Sequence, residues 1–333
     1  QGGSPVCFAP VTSALGVILP SNSPGVNSIW MPAAVLKTPV VLKPGREEPW
    51  TPLRIVRALV AAGFPAEAFS FYPTDHEGSA AILELSGRSL LFGDAQTTKP
   101  WAADRRVQLH GPGWSKVVLG PDQAPRYREH LDVLAASVAS NGGRSCINAS
   151  TILTPSHAAE LADALAQRLA PIAPRAADDP QAELCAFPDP KVAEAIDAAI
   201  DRGLAQGGAE DVTARHRKGP RRVLHEGATY LLPTILRCDS IDHPLARTEY
   251  LFPFASVVQV PAERLVAALG PSLVVSAITR DEALARALLA CRSVDRLNLG
   301  PLPTSRVEWD QPHEGNLFEL LYERRAIQRA GGW

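Results

Sequence analysis

Short runs of aliphatic and β-branched residues, mostly close to a glycine or proline, punctuate the first part of the chain. They are Val17-Ile18-Leu19, Pro39-Val40-Val41-Leu42, Phe69-Ser70-Phe71-Tyr72, Ser89-Leu90-Leu91-Phe92 and Lys116-Val117-Val118-Leu119. Short, largely apolar runs without strict polar alternation are how strands buried in a parallel sheet read. Between two of them, Pro52 to Ala62 sets Leu53, Val56, Leu59 and Val60 on one helical face, and Gly63 ends the helix. Strands alternating with helices predict an α/β sheet with crossovers. Further on, Pro125 to Val138 and Ala158 to Leu169 read as amphipathic helices, and Val257-Val258-Gln259-Val260 and Leu273-Val274-Val275-Ser276 as strands, which predicts a second α/β lobe. Ala170 to Pro190, rich in Pro, Ala and Asp, reads as a surface excursion or a shortened segment.

The 333 residues are 46% hydrophobic and 20% charged, with Lys+Arg 33 against Asp+Glu 35. That is a globular composition with enough chain for one large core or two ordinary ones, and it excludes collagen, coiled coil and disorder. The charge balance leaves no basic excess to neutralise phosphates, so neither a nucleic acid nor a membrane surface is expected as partner. The best early apolar run, Val11 to Leu19, stops at Pro20, short of the roughly 18 residues a spanning helix needs. No secretory pattern opens the chain, and a cytoplasmic location is expected. Five cysteines, Cys7, Cys146, Cys185, Cys238 and Cys291, are scattered without metal-knuckle spacing, so neither a disulfide framework nor a metal site is expected. The chain begins at Gln1 and its single methionine is Met31, which points to a processed or partial chain.

Five places could carry chemistry. Asn22 in Pro20-Ser21-Asn22-Ser23-Pro24 follows a strand and could aim a side-chain amide at an oxyanion; the same residues also make an ordinary turn. Lys43, ending Val40-Val41-Leu42, stands at a strand's carboxyl edge, where open α/β sheets bind ligands, or is simply solvated. Cys146, after Asn141-Gly142-Gly143, has the backbone freedom of an exposed nucleophile, against the commoner fate of a buried structural cysteine; the other four cysteines take the structural reading. His110, before Gly111-Pro112-Gly113, could act as a base or belong to a turn. Glu249 and Phe252, leading into the strand near Val257, could hold a sugar and a heterocycle, or the carboxylate could cap the strand.

In order and spacing these segments resemble one family. Asn22 in Pro-x-Asn-x-Pro, Lys43 in Val-Val-Leu-Lys-Pro, the helix end Ala62-Gly63-Phe64-Pro65, Cys146 after Gly-x-x and Glu249 before Phe252-Pro253 are similar to the aldehyde dehydrogenase superfamily, from about Pro5 to about Val260. The resemblance implies an α/β fold with a Rossmann-type cofactor-binding lobe at 1–121 and a catalytic α/β lobe at 122–306; 307–333, where no family signature stands, is expected to be a tail that covers the site or serves oligomerisation. It implies that Cys146 attacks an aldehyde or thioester, that Asn22 holds the oxyanion, that Lys43 contacts the adenosine ribose and that Glu249 holds the nicotinamide ribose. Asn22 stands unusually near the N-terminus for this superfamily, so an N-terminal segment is expected to be missing.

Departures from the family pattern refine the expectation. Where hydrolytic members carry a glutamate that activates water, this chain has Leu109-His110-Gly111-Pro112-Gly113, and Glu249 and Pro253 lack the usual glycine between them. Both look like the CoA-acylating members, which implies NAD or NADP as cofactor, coenzyme A as co-substrate, an aldehyde or acyl-CoA as small-molecule partner and a homo-oligomer, dimer or tetramer. The alternatives are a hydrolytic enzyme in which His110 activates water, and an inactive relative serving as a structural or partner-binding subunit. Arg46, where NAD-preferring relatives often carry a carboxylate, would favour a 2'-phosphate. Gly93 lies in the turn that relatives set over the pyrophosphate, but Asp94 brings a negative charge to it.

Overall fold

The structure, a computed structural model, describes residues 6–308, 311–312 and 315–328. The chain divides into two compact units: one runs up to Pro112 and resumes at Pro312, and the other is Gly113–Gln311. Of the tail expected at 307–333, residues 309–310, 313–314 and 329–333 lie outside the described residues.

The first unit opens with strands β1 (Val6–Pro10), β2 (Leu15–Ile18), β3 (Val40–Lys43), β4 (Phe69–Phe71), β5 (Arg88–Phe92) and β6 (Val107–His110). The last five form a parallel sheet in the order β4-β3-β2-β5-β6. The chain moves outward from β2 through β3 to β4, then returns to the other side of β2 for β5 and β6. The order therefore reverses between β2 and β5, and in open α/β sheets such a switch point, at the carboxyl ends of the strands, is where ligands bind. Every residue of β2 is buried, as a central strand requires, while β4 is an edge strand whose three residues are only half-buried. Gly16 in β2 is needed for close packing, since a Cβ there would stand 2.7 Å from Ser86 Oγ and 2.8 Å from Ser89 Oγ. Trp30 is fully buried beneath the sheet, and its Nε1 donates to Asn27 Oδ1 at 2.9 Å.

The second unit contains β7 (Lys116–Leu119), β8 (Thr151–Thr154), β9 (Ala209–Asp211), β10 (Arg222–His225), β11 (Ala228–Leu231), β12 (Thr234–Cys238), β13 (Phe254–Gln259), β14 (Ser272–Ile278) and β15 (Val294–Leu299). Seven of these form one sheet, ordered β15-β14-β7-β8-β13-β12-β9, parallel except for β9 against β12. Helix Ala158–Leu169 forms as its periodicity predicts and buries its apolar stripe in one core. The single helix expected from Pro125 is instead a 3-10 segment, Ala124–His130, followed by an α-helix, Leu131–Ala139. His130 is buried and its ring pairs with Gln123 Oε1 at 3.0 Å, which pins the tighter turn before the helix begins. Residues 170–189 are irregular, as expected, and then helix Pro190–Ala205 starts with proline in its first turn and Asp189 accepting from the Lys191 N–H at 2.9 Å.

The chain ends its described course back in the first unit with strand β16 (Tyr322–Ala326), antiparallel to β1. Helix Leu317–Leu321 before it places Leu321, fully buried, with Leu317 and Leu320 against the first unit's core. Among the described residues no helix is long and apolar enough to cross a membrane.

Candidate active site

In the first unit the candidate residues gather at the carboxyl edge of the sheet. Asn22 lies on the loop leaving β2, Lys43 ends β3, Gly93 follows β5 and His110 ends β6, so four adjacent strands contribute. The loops after β2 and β3 are knit together. The Leu19 N–H donates to the Lys43 carbonyl at 2.9 Å, and the Glu47 N–H donates to Ser21 Oγ at 3.1 Å. Gly45 is glycine because a Cβ there would overlap Ser21 Oγ and the Pro20 carbonyl. Burial lowers the pKa of Lys43, with the Glu47 carboxylate opposing the shift. Asn22 is half-buried and Arg46 is exposed.

The turn after β5 is closed on itself. A Cβ at Gly93 would stand 2.7 Å from Thr97 Cβ, and Asp94 caps the four-residue helix Ala95–Thr98 by accepting the Thr97 N–H at 2.8 Å. That hydrogen bond, with one from the Thr97 side chain, holds the Asp94 pKa below the ordinary carboxylate range. The His110 ring is 3% exposed and stacks on Phe92, centroids 4.3 Å apart.

In the second unit Cys146 sits in the loop before β8. Asn141, Gly142 and Gly143 all have positive φ, and the loop approaches so closely that a Cβ on Gly142 would stand 2.7 Å from Cys185 Sγ. A Cβ on Gly143 would overlap the backbone joining Phe252 to Pro253. Asn148 pins the far side of the loop: its Nδ2 donates to the Ser140 and Ser137 carbonyls at 3.0 and 3.2 Å, and its Oδ1 accepts the Ser145 N–H at 3.0 Å. The Cys146 carbonyl accepts from Ser115 Oγ at 2.8 Å, and Gly113 leaves no room for a side chain beside that carbonyl. Cys146 is half-buried. Cys185 and Cys238 have thiols whose pKa burial pushes up.

Glu249 joins the same segment. Its Oε2 accepts the Trp114 N–H at 2.6 Å, and Trp114 has φ +43. Lys116, at the start of β7, donates to the Trp114 carbonyl at 2.6 Å. Phe252, expected against a heterocycle, has its ring 3% exposed in the core beside Tyr250 and Phe254; what it offers the loop of Cys146 is backbone. The structure thus unites Cys146 and Glu249 through Gly113, Trp114 and Ser115. Trp114, Ser115 and Lys116 lie between the His110 segment and strand β7, both legible in the sequence, but no role falls to them there.

Toward a dinucleotide each unit's residues fit in part: in the first, Lys43 offers a cation suited to a ribose hydroxyl while Asp94 brings a negative charge to the turn after β5, and in the second, Glu249 offers a carboxylate suited to a ribose hydroxyl. Among the described residues no group of three or more His, Cys, Asp or Glu side chains could hold a metal ion.

Comparison with known proteins bears on this arrangement. The aspartate-semialdehyde dehydrogenase (non-phosphorylating) of Halomonas elongata is 25% identical over 234 residues, which are 66% of this chain and 44% of that protein. The matched stretch thus spans less than half of that relative. The γ-glutamyl-γ-aminobutyraldehyde dehydrogenase of Burkholderia cenocepacia superposes with a TM-score of 0.82 at 21% identity, covering 97% of this chain and 69% of that one. An NAD+ complex of an aldehyde dehydrogenase from Bacillus cereus does so with 0.82 at 20% identity and the same coverage, 97% and 69%. These likenesses show the fold. The model of the aldehyde dehydrogenase family matches residues 6–269, which hold Asn22, Lys43, Cys146 and Glu249, and on that match the chain belongs to the aldehyde dehydrogenase family.

Proposed function

We propose that this chain is an NAD(P)-dependent aldehyde dehydrogenase of the CoA-acylating kind, converting aldehyde, CoA and NAD(P)+ to acyl-CoA and NAD(P)H, or the reverse. One observation carries the reading: Ser115 bonds the Cys146 carbonyl and Trp114 bonds Glu249, so one short segment sets both the nucleophile and the cofactor ligand.

In this reading the Cys146 thiolate adds to the aldehyde carbon and the oxyanion accepts from the Asn22 side-chain amide and the Cys146 N–H. A fixed amide donor of this kind is worth about 3 kcal/mol of barrier. The nicotinamide supplies a hydride acceptor for the aldehyde C–H, and what remains on Cys146 is a thioester. The CoA thiolate then attacks the acyl carbon, and the Cys146 thiolate leaves with the electron pair of the broken C–S bond. Lys43 and Glu249 hold the two riboses, and Arg46 favours a 2'-phosphate. We assign cofactor binding to the first unit and the nucleophile to the second. A homo-oligomer belongs to the same proposal.

Release to CoA rather than water is supported by position 110, which carries no carboxylate, and by its histidine, whose ring is buried against Phe92. The test is a matrix of short aliphatic, long aliphatic and aromatic aldehydes with NAD+ or NADP+, each with and without CoA. Nicotinamide reduction that requires CoA and vanishes in Cys146→Ala supports the proposal. Acid formed without CoA would point to the hydrolytic alternative, and failure to bind either nicotinamide by calorimetry would point to an inactive relative.

A further inference from the structure

Lys116 is the only non-aliphatic residue of β7, and it is 6% exposed. Its ammonium donates to the Trp114 carbonyl at 2.6 Å, to the Pro271 carbonyl at 3.2 Å and to Ser272 Oγ at 2.9 Å. An ammonium has three protons, so these bonds use all of them. Lys116 lines a cavity of about 560 Å³ with Trp114, Arg247 and Arg264 among others. Burying a charge there is costly and is compensated by what the charge holds.

Trp114 is what it holds. A residue with a side chain at φ +43 occupies a region that L side chains rarely adopt, and such a conformation persists only where neighbours over-determine it. Trp114 is gripped on both sides of its Cα. Lys116 takes the carbonyl, and the Glu249 carboxylate takes the N–H at 2.6 Å. Lys116 is in turn fixed to the entry of β14 through Pro271 and Ser272. A continuous line of charge-assisted hydrogen bonds therefore runs from the β14 entry through Lys116 and Trp114 to Glu249.

We propose that Lys116 is a positioning residue that sets the Glu249 carboxylate, through the Trp114 backbone, in the orientation that receives the nicotinamide ribose. The inference rests on the reading of Glu249 as ribose ligand. Without the ammonium the Trp114 peptide relaxes toward an ordinary conformation, its N–H turns from Glu249, and the carboxylate loses its aim.

NADH affinity measured by fluorescence titration on the whole protein tests this, with melting temperature followed alongside. Glu249→Gln is expected to weaken NADH about tenfold and Lys116→Met about fivefold, the loss of a charged hydrogen-bond partner. The Lys116→Met/Glu249→Gln double variant is expected to be no weaker than Glu249→Gln alone, because both act on one carboxylate. A lowered melting temperature with unchanged NADH affinity in Lys116→Met, or additive losses in the double variant, overturns the inference. Unchanged affinity in Glu249→Gln overturns the reading beneath it. Should Lys116→Met not fold, the wild type decides. Burial brings Lys116 to a pKa of about 8, with Glu249 raising and Arg247 lowering it, while Asp239, Asp242 and Arg264 also line the cavity. NADH binding is then expected to weaken between about pH 7 and about pH 9, and Glu249→Gln to flatten that slope. A level wild-type profile over the same range counts against it.

Discussion

The Trp114 backbone N–H donates to Glu249 Oε2 at 2.6 Å, across 135 residues of chain. The neighbouring Ser115 hydroxyl holds the Cys146 carbonyl. Sequence neighbours thus bind two distant residues, so an error in this segment moves both Cys146, the proposed nucleophile, and Glu249, the proposed ribose ligand.

Gly113 gives a direct test of that coupling. Gly113→Ala puts a methyl group on the Cys146 carbonyl, and overpacking of this kind costs about 1–3 kcal/mol. Calorimetric melting is expected to show that loss, and single-turnover acylation is expected to slow at least as much as NADH affinity falls. Wild-type melting and wild-type acylation together would mean the loop tolerates the displacement.

Asp94 stands in the turn proposed to face the cofactor's diphosphate. Asp94→Ser keeps a capping oxygen and removes the charge, so melting is expected to change little while NAD(P)H affinity rises about twofold to fivefold. In the wild type the pKa of Asp94 is depressed, so the stability its ionised cap contributes is complete above the ordinary carboxylate range and is lost as pH falls through the lowered pKa. Asp94→Ser is expected to remove that part of the acid sensitivity. Identical acid melting curves for the two proteins would reject the capping role.

Arg46 is assigned the 2'-phosphate. Arg46→Glu is expected to weaken NADPH binding about tenfold relative to NADH, since it exchanges attraction for repulsion at one phosphate. Equal effects on both cofactors, read by the same titration, would discard the assignment.

Arg221 tests the frame behind the second unit. It is 5% exposed as a side chain and bridges Asp197, Asp201 and Asp211, tying helix Pro190–Ala205 to the end of β9. Arg221→Ala takes away one of the two guanidinium partners of the buried Asp211 carboxylate, Arg217 being the other, and is expected to cost about 1–3 kcal/mol. Denaturant unfolding checks this, and a loss under about 1 kcal/mol would mean that water replaces the guanidinium.

What was legible beforehand follows from how each element is stabilised. Helix Ala158–Leu169 and strand β7 announce themselves because burial of regularly spaced apolar side chains forms them. Helix Pro190–Ala205 carries a comparable apolar stripe, Ala193, Ile196, Ile200 and Leu204, and was open to the same reading, as was strand β12 directly after Pro233. Cys146 and Glu249 were visible as residue types in a pattern. Their link was not, since it runs through a backbone N–H and a serine hydroxyl, groups that leave no periodic trace in a sequence. The closed turn at Asp94 was legible as a charge and became a cap only in three dimensions.

The most direct test of the account is nicotinamide reduction by an aldehyde in the presence and absence of CoA, with the acyl product identified. The account predicts acyl-CoA formation that requires CoA and is abolished by Cys146→Ala. Free carboxylic acid formed at the same rate without CoA would contradict it.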